Sequence, residues 1–545
     1  MQRVLGVLCF FFLGCSPSGN QVADAGNDGQ SDGSTPPASV CVVQSQGTSG
    51  VVLSGRLLAP SGPMDGELMI DGSGIIACAD ASCASAAGYD AATKIACAGG
   101  VISPSLINPH DHTNYATVSP LDHGTTRYQH RHDWRVGAEG ATALPSPPST
   151  NDTKIIAAAE LRFVLGGATA VVSSGGVRGL MRNLAAFSDP TELEGLTGKT
   201  TYFDTFPLGD SNGTLITSGC AYPNIRTAGA AFQDGQYAPH VGEGINLAGE
   251  NELTCLSVQS NDLITARTSI IHGIAFNAKD VDVVKQSGAK LIWSPRSNIS
   301  LYGDTAPVTE YKSAGVTISL GSDWLPSGSM NMLRELACAD ALNQKYFHQT
   351  FSDRDLWAMV TINAAVAAGF DTQIGSLEAG KVADVAVFDA RTNADYRAVI
   401  AAGVEDVRLV LRGGTPLYGD ADLVAALTTT TCAALDVCGN ARVVCFDVPN
   451  VTLADAQAAA SSIYPLFFCR GTDPDKEPSC VPYRDTYPDG TSATDADGDG
   501  VADATDDCPL IFNPVRPLDG AAQADSDGDG FGDACDAQPL DPQAH

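Results

Sequence analysis

Positive charge is scarce in this 545-residue sequence, because 31 lysines and arginines face 63 aspartates and glutamates and the formal net charge is −32. Such an excess of negative charge disfavours binding to nucleic acid or to anionic membranes through electrostatics. Much of the acidity is crowded near the C-terminus. The hydrophobic content of 44% is ordinary, so the chain can build a sizeable core and more than one folded unit.

No Cys-x-x-Cys pair occurs, although 16 cysteines are many for a cytosolic protein. Disulfides formed in an oxidising compartment are the simpler interpretation. Without Cys9 and Cys15, which lie in the N-terminal leader, an even number remains, and Cys78, Cys83 and Cys97 are expected to act as disulfide staples. The connectivity as a whole is not fixed by the sequence.

The apolar run at the N-terminus is too short to span a bilayer. In MQRVLGVLCFFFLGC, Arg3 precedes this run, which ends at Leu13-Gly14-Cys15. The pattern is typical of a bacterial secretory signal over residues 1–15, and it resembles a lipobox with Cys15 as the lipidated residue. The alternative is an ordinary signal peptide cleaved elsewhere. We expect export across the inner membrane, a lipid anchor at the outer membrane or cell surface, and a disordered tether over residues 16–40.

Potential metal ligands follow several predicted strands. In SPSLINPHDHTNY (Ser103–Tyr115), an apolar run ends in His110 and His112. Residues i and i+2 of a strand face the same side, so the two imidazoles can share a metal. Others follow in order: His240 and Glu243 in YAPHVGEG, His272 in TSIIHG, and Asp323 in VTISLGSDW. A parallel α/β barrel carries its active-site groups at such strand ends. Three histidines and an aspartate there predict a hydrolytic metal site with a water in the open position.

Each of these residues also has a purely structural interpretation. The first two histidines can form a surface loop pair, and His272 can be a buried structural histidine. Glu243 can be a helix N-terminal acid beside a satisfied His240. Asp323 can be a helix N-cap after a strand.

The segments INPHDH, HVGEG, IIHG, SPRSN (Ser294–Asn298), LGSDW and GSLEAGKVADVAVFD (Gly375–Asp389) occur in this order. With them, Val51–Val424 resembles the amidohydrolase superfamily, in its branch of metal-dependent deaminases and chlorohydrolases. The resemblance implies a (β/α)8 TIM barrel over residues 101–370. It also implies a small β-sandwich built from residues 41–100 and 371–424. The alternation of predicted strands and helices favours the same α/β class.

The resemblance also assigns roles. It implies these metal ligands: His110, His112, His240 and Asp323. Asp323 would also accept the proton of the attacking water, and His272 would hydrogen-bond that water or the developing oxyanion. Glu243 would carry a proton to the substrate nitrogen, which requires a raised carboxyl pKa.

The number of metals depends on a lysine. Many superfamily members bridge two metals with a carboxylated lysine on a mid-barrel strand. The candidate strand TTYFDTFPL contains no lysine, and Lys199 precedes it at the wrong end. We therefore expect one metal, Zn²⁺ rather than Fe²⁺ from the ligand type, although three histidines and an aspartate suit both.

Asn114–Gly137 departs from the better-known deaminases. It adds His123, His130 and His132 to three arginines, at positions 127, 131 and 135. The segment is expected to overhang the end of the first barrel strand, where it could act as a lid for a substrate that carries a carboxylate or phosphate. The alternative, slightly favoured, is a loop held by local salt bridges.

Two acidic repeats end the chain, DADGDGVADATD (Asp495–Asp506) and DSDGDGFGDACD (Asp525–Asp536). Alternate carboxylates around a glycine turn converge oxygens on Ca²⁺. No amphipathic helices flank them, so they are not EF-hands, and with their Cys-Pro and Asn-Pro pairs they resemble thrombospondin type 3 repeats, which suggests a Cys508–Cys535 bridge. The expected calcium ligands are Asp495, Asp497, Asp499, Asp503, Asp506, Asp525, Asp527, Asp529, Asp533 and Asp536. The alternative is a disordered acidic tail.

Together these features predict a secreted amidohydrolase that uses a metal-bound water to cleave a non-peptide C–N bond of a small cyclic or amide substrate, with deamination as one candidate reaction. Residues 425–490 form a cysteine-rich appendage without evident chemistry, and residues 491–545 carry the repeats. The alternatives are a dipeptidase-like or lactonase-like hydrolase on the same fold, or a non-catalytic, calcium-stabilised surface binding protein. The complete set of six site positions argues against the last.

Overall fold

The computed structural model describes residues 39–185, 189–472 and 474–544. The predicted signal, the lipidation residue Cys15 and nearly all of the predicted tether lie outside these residues. In the described part of the chain, no helix is both long and apolar enough to cross a membrane.

The first described segment forms five strands. They are β1 (Val42–Ser45), β2 (Val51–Ala59), β3 (Gly62–Ile70), β4 (Ile76–Asp80) and β5 (Thr93–Pro104). Strands β2 and β3 form an antiparallel hairpin, while β2 also pairs in parallel with β5. The buried residues Leu53, Ile95 and Ile102 contribute to the core of this sheet.

Parallel strands follow β5. They are β6 (Leu106–Asp111), β7 (Ala168–Ser173), β8 (Arg182–Asn183), β9 (Thr201–Asp204), β10 (Gln236–Val241), β11 (Ser269–His272), β12 (Lys290–Trp293) and β13 (Ile318–Leu320). They pair in chain order as β6–β7–β8 and β9–β10–β11–β12–β13. The two groups approach where Thr201 N donates to Leu184 O at 2.9 Å, and Asp111 forms a parallel bridge with Asp323. This order is consistent with the predicted eight-stranded TIM barrel.

Helices alternate with these strands. They are α1 (Arg131–Val136), α2 (Thr153–Leu165), α3 (Ala228–Ala231), α4 (Leu247–Leu256), α5 (Ala278–Ser287), α6 (Pro295–Tyr302), α7 (Val308–Ala314), α8 (Met332–Lys345), α9 (Asp353–Met359) and α10 (Ile362–Ala368). Every residue of β6, β7 and β11 is buried, as expected for parallel strands with both faces covered.

The chain then returns to the first sheet. The later elements are β14 (Val385–Asp389), α11 (Asp395–Ile400), β15 (Val407–Arg412), β16 (Thr415–Asp420), α12 (Ala421–Leu427), β17 (Ala433–Val437), β18 (Asn440–Val444) and α13 (Leu453–Ile463). Strand β14 pairs antiparallel with β5, so the segments on either side of the barrel share one ten-stranded sheet. Strands β17 and β18 extend this sheet through β16, although they lie in the predicted cysteine-rich appendage. Two packed sandwich layers stay a prediction.

Seven disulfides pair the cysteines of the described residues. They are Cys41–Cys97, Cys78–Cys83, Cys220–Cys255, Cys338–Cys480, Cys432–Cys445, Cys438–Cys469 and Cys508–Cys535. The last is the bridge suggested by the repeat resemblance. Cys338–Cys480 links α8 to the C-terminal region.

The acidic C-terminal region packs against the barrel segment. Phe512 donates its backbone N–H to Tyr346 O at 2.8 Å, and its ring contacts those of Tyr346 and Tyr487. The buried Arg516 donates from Nη1 to the carbonyls of Ile274 and Phe276 at 3.2 and 3.0 Å. The two repeats are therefore part of the same packed body as the barrel.

Candidate metal and catalytic site

Four of the predicted site residues meet at the carboxyl ends of the barrel strands. His110, His240, His272 and Asp323 are buried, and each offers one ligand atom within 4.8 Å of those of the others. His110 Nε2 lies 3.1 Å from Asp323 Oδ1. The His240 ring centroid lies 4.8 Å from that of His110 and 5.2 Å from that of His272.

His112 lies beside this group. Its Nε2 is 3.7 Å from the same Asp323 oxygen, and its ring centroid is 5.6 Å from that of His240. The tightest cluster thus differs from the predicted ligand set in one residue. It contains His272, for which the resemblance implies a hydrogen-bonding role, and the predicted ligand His112 lies at its edge. Five of the six predicted residues nevertheless border one cavity, and His110 contacts one of them, Asp323.

Neighbouring hydrogen bonds distinguish a ligand from a proton donor among these histidines. His240 Nδ1 lies 3.2 Å from Asp204 O, to which it can only donate, so its Nε2 keeps a lone pair for a metal. His272 Nδ1 lies 3.2 Å from the amide nitrogen of Asn298. Because an amide nitrogen can only donate, His272 carries its proton on Nε2. This tautomer suits the predicted role of His272 as a hydrogen-bond donor.

Two of these residues have strained backbones. His272 has φ 76° and Asp323 has φ 65°, in the left-handed region that residues other than glycine seldom adopt. Both stand where a strand turns into the loop at the barrel mouth. Such strain is concentrated at functional sites because the surrounding structure must hold it.

Helix α6 supports three of the site residues. Pro295 lies in its first turn, where the fixed φ of proline favours helix formation. Ser297 donates its hydroxyl to Asp323 Oδ2 at 2.6 Å, and Asn298 contacts His272 as described. Tyr302, one turn further, donates its hydroxyl to Glu243 Oε1 at 2.8 Å. The SPRSN segment therefore holds site residues in place, a role that its sequence alone did not reveal.

Glu243 follows a turn that requires glycine. Gly242 has φ 66°, and a Cβ there would lie 2.6 Å from the Phe276 ring. The Gly242 N–H donates to Glu252 Oε2 at 2.8 Å, which fixes the turn. The other oxygen of Glu243, Oε2, lies 3.7 Å from His272 Nε2.

Burial sets the charge states of the site. It lowers the pKa of His110 to about 3 and those of His112, His240 and His272 well below the ordinary value, so these imidazoles are neutral at neutral pH. Burial raises the pKa of Glu243 to about 7 and that of Asp323 to about 7. Glu243 therefore has the raised pKa that a proton carrier needs.

The residues present fit a zinc or iron ion. Neutral imidazole nitrogens and one carboxylate are the ligands these metals take in hydrolytic sites. Within the described residues, the buried His110 Nδ1 has no hydrogen-bond partner, and the unpartnered His272 Nε2 keeps its N–H available for a water or substrate oxygen. Lys199 takes no part, because its Nζ donates to Gln233 O at 3.0 Å, at the amino end of β9.

The Asn114–Gly137 segment lines the cavity above these residues. The cavity measures about 340 Å³, and its walls include Tyr115, Arg131, Trp134, Arg135, Phe203, Phe206 and Trp324. The expected local ion pairs are also present. Arg131 Nη2 lies 2.5 Å from Asp210 Oδ2 and 3.5 Å from Glu252 Oε1. The same segment is thus fixed by buried charge pairs and placed at the mouth of the site.

The two C-terminal repeats have matching geometry. Ligand oxygens of Asp495, Asp497 and Asp499 cluster within 4.8 Å, as do those of Asp525, Asp527 and Asp529. In each repeat the N–H of the glycine three residues after the first aspartate donates to its Oδ1 at 2.7 Å. Among the described residues, each repeat has two buried carboxylate oxygens without a partner, and they occupy equivalent positions in the two repeats. They are Oδ2 of Asp497 and Asp506 in the first repeat, and Oδ2 of Asp527 and Asp536 in the second.

A parallel α/β fold with histidines and an aspartate at its strand ends defines the class of metal-dependent hydrolase sites. Residues 242–417 match the model of the amidohydrolase family, about a third of the chain. This match and the deaminase relatives described next support the amidohydrolase superfamily.

Similar curated proteins include deaminases. A 5-methylthioadenosine/S-adenosylhomocysteine deaminase of Teredinibacter turnerae is 38% identical over 131 residues, which cover 23% of this chain and 29% of the relative. A 5'-deoxyadenosine deaminase of Methanothermobacter thermautotrophicus is 28% identical over 167 residues, covering 29% and 39% of the two chains. The aligned part of this chain thus spans well under half the length of these relatives.

Similar solved structures include a zinc-bound adenosine deaminase from Xanthomonas campestris, with a TM-score of 0.46 and 14% identity over 76% of this chain and 97% of that chain. Another is the atrazine chlorohydrolase TrzN from Arthrobacter aurescens, with a TM-score of 0.47 and 18% identity over 67% and 95% of the two chains.

Proposed function

We propose that this chain is a metal-dependent amidohydrolase that cleaves a non-peptide C–N bond in a small cyclic or amide compound. The observation that carries the proposal is the pairing of a buried Glu243 with the strand-end histidines and Asp323 under one cavity. The family match and the relatives named as deaminases support hydrolysis of C–N bonds and do not favour the non-catalytic alternative.

In this proposal, four residues hold one zinc or iron ion: His110, His112, His240 and Asp323. When bound, the metal supplies an activated water for attack on the substrate carbon. Asp323 accepts a proton at Oδ1, because its Oδ2 already accepts from Ser297. His272 donates from Nε2 to the oxygen that develops charge.

Glu243 then protonates the leaving nitrogen. Its Oε1 accepts from Tyr302, so Oε2 is the oxygen available to deliver the proton. A carboxyl with a pKa of about 7 is half protonated at neutral pH and can both take up and release a proton. Glu243→Gln removes this transfer and should lower kcat by about 10²- to 10⁴-fold.

The primary experiment measures transition metal per chain and screens hydrolysis. One metal per chain, lost in His110→Ala and Asp323→Ala, together with ammonia release from adenosine derivatives such as 5'-methylthioadenosine, supports a deaminase. Two metals per chain would favour the alternative dipeptidase-like or lactonase-like hydrolases. A wild-type protein without stoichiometric transition metal would contradict the proposal.

We also propose that each C-terminal repeat binds calcium. The supporting observation is that both copies leave the same two carboxylate oxygens buried without partners, at loop positions 3 and 12. Oxygen-only donor sets of this kind suit Ca²⁺.

The extracytoplasmic location, with Cys15 carrying lipid, belongs to this proposal as well. The N-terminal sequence supports it, and the seven disulfides suit an oxidising compartment. Incorporation of radiolabelled palmitate into the wild-type protein but not into Cys15→Ser tests the anchor.

A further inference from the structure

Two guanidinium groups from one helix line the cavity that holds the candidate metal site. Arg131 and Arg135 lie four residues apart on α1, so their side chains leave the same helix face. Both border the cavity together with Glu243 and Asp323. Like charges at this spacing repel each other unless other groups compensate them.

Arg131 is compensated by its surroundings. Its Nη2 pairs with Asp210 and Glu252, and its Nη1 donates to Thr205 O at 2.7 Å. Its buried Nε has no hydrogen-bond partner in the part of the chain that the structure describes. The positive charge of Arg131 is therefore largely neutralised by buried carboxylates.

Arg135 has no such compensation. Its Nη1 lies 2.8 Å from His132 Nδ1, and its Nη2 donates to Ser211 O at 3.3 Å. The guanidinium lies over the Phe206 ring, 4.4 Å from the centroid. No ion pair joins Arg135 to a carboxylate of the described chain. Burial and the nearby Arg131 charge lower its pKa against the raising effect of Glu243 and Asp210, as expected for a buried cation that no carboxylate contacts directly.

Aromatic rings form the remaining walls. The Trp134 and Trp324 ring centroids lie 5.6 Å apart, and Phe203 and Tyr115 border the same cavity. Flat apolar walls bind a planar ring, while the guanidinium fork binds two oxygens of a carboxylate or phosphate. In a chain with a net charge of −32, an uncompensated arginine at the cavity is a specific feature rather than a general property of the surface.

We propose that Arg135, beside Arg131 on the same cavity wall, forms a subsite for an anionic group, so that the substrate is a ring compound bearing a carboxylate or phosphate. The proposal rests on the proposed function for the reaction but not for the binding itself. The carboxylate or phosphate would occupy the cavity wall formed by α1, and the ring would lie between the aromatic side chains.

Calorimetric titration of the full protein with three ring compounds tests this subsite. The probes are benzoate, phenyl phosphate and neutral benzyl alcohol. Each is measured with zinc-loaded protein and after dialysis against a chelator selective for transition metals, with calcium kept in the buffer. The variants are Arg135→Gln, Arg135→Lys and, as a control with the same charge change, Arg178→Gln at an exposed position outside the cavity.

We expect one or both anionic probes to bind at least about tenfold more tightly than benzyl alcohol, since hydrogen bonds to charged groups are the stronger ones. Arg135→Gln should remove this preference, Arg135→Lys should keep part of it, and Arg178→Gln should leave it unchanged. Benzoate and phenyl phosphate together distinguish a carboxylate from a phosphate. Melting temperatures verify that the variants fold.

Equal binding of the anionic and neutral probes would overturn the proposed subsite. So would a preference for the anionic probes that survives in a folded Arg135→Gln variant but is lost when the metal is removed, because the metal would then bind the anion. The outcome is separable from that of the hydrolase proposal. Anion binding that depends on Arg135 in a protein without hydrolytic activity would leave the subsite standing and the reaction disproved. Hydrolysis of neutral amides by a protein that shows no such anion binding would support the hydrolase proposal and disprove the subsite.

Discussion

Tyr302 donates its hydroxyl proton to Glu243 Oε1 across 2.8 Å. The indole N–H of Trp134 donates to the same hydroxyl oxygen across 2.9 Å, so the tyrosine proton points at the carboxylate. Trp134 and Glu243 border the cavity, and Tyr302 between them is fully buried. This arrangement ties the proton carrier of the site to the cavity wall.

Removing this hydrogen bond should impair catalysis without unfolding the protein. Tyr302→Phe is expected to lower kcat by about 10- to 100-fold, since a hydrogen bond to a charged group contributes about 1.5–3 kcal/mol. Tyr302 lowers the pKa of Glu243, so its loss should raise that pKa and move the alkaline limb of kcat to higher pH. Tyr346→Phe, outside the cavity lining, is the control. An unchanged pH profile in Tyr302→Phe would contradict this role.

The proton assigned to Nε2 of His272 predicts that this residue does not hold the metal, whereas the superfamily resemblance makes His112 a ligand. His112→Ala should lose stoichiometric zinc, whereas His272→Ala should retain it and lose activity by at least about 100-fold, because an oxyanion donor is removed. Elemental analysis and kcat measure the two effects. His348→Asn changes an exposed histidine and serves as the control. Zinc lost in His272→Ala and kept in His112→Ala would make His272 the ligand instead.

We expect two calcium ions to bind per chain, one in each repeat. Asp497→Asn and Asp527→Asn each remove a carboxylate from one loop and are expected to leave about one ion per chain. Chelation by EGTA should lower the Tm, because a ligand that binds only the folded state stabilises it. Asp489→Asn, an exposed change outside both loops, should alter neither quantity. An unchanged Tm on chelation in wild-type protein would argue against calcium in the repeats.

Stability should depend on pH through Glu160. Burial raises its pKa from 4.5 to about 8, against the lowering effect of backbone N–H donors from Met181 and Val177. The folded state therefore binds this proton more tightly than the unfolded state. The contribution is complete below pH 4.5 and is lost as the pH rises toward 8.

Glu160→Gln cannot ionise, so the Tm of the variant relative to wild type should rise between pH 5 and pH 8. Calorimetric scans at both pH values measure the difference. Glu139→Gln, at an exposed position, controls for the loss of one carboxylate. A constant difference across this range would mean that Glu160 does not titrate there.

The sequence was most informative where a local pattern determines position. His110, His240, His272 and Asp323 each end or follow an apolar strand, and parallel strands bring such ends together. The family match supports the superfamily resemblance, and the parallel strand order supports the expected α/β fold. The calcium sites, the lipid anchor and the domain boundaries stay predictions.

Other features depend on contacts between distant segments. Asp210 and Glu252 carry no motif, yet they fix Arg131 because packing brings the three together. Tyr302 follows the SPRSN motif, and only the helical spacing of α6 places it on Glu243. Strands β17 and β18 join the ten-stranded sheet by pairing with β16, which no short-range pattern specifies. Most disulfide partners are likewise far apart in sequence.

The contacts of Arg516 also determine how far the chain can be shortened at its C-terminus without loss of folding. It lies between the two repeats, and its guanidinium satisfies the carbonyls of Ile274 and Phe276, just beyond His272. A gene shortened at residue 490 would leave these carbonyls buried beside an open apolar surface formerly covered by Phe512. Buried acceptors without donors are costly. The repeat region therefore cannot be deleted or replaced as an independent module. Insertions that leave the enzyme folded should be placed elsewhere in the chain.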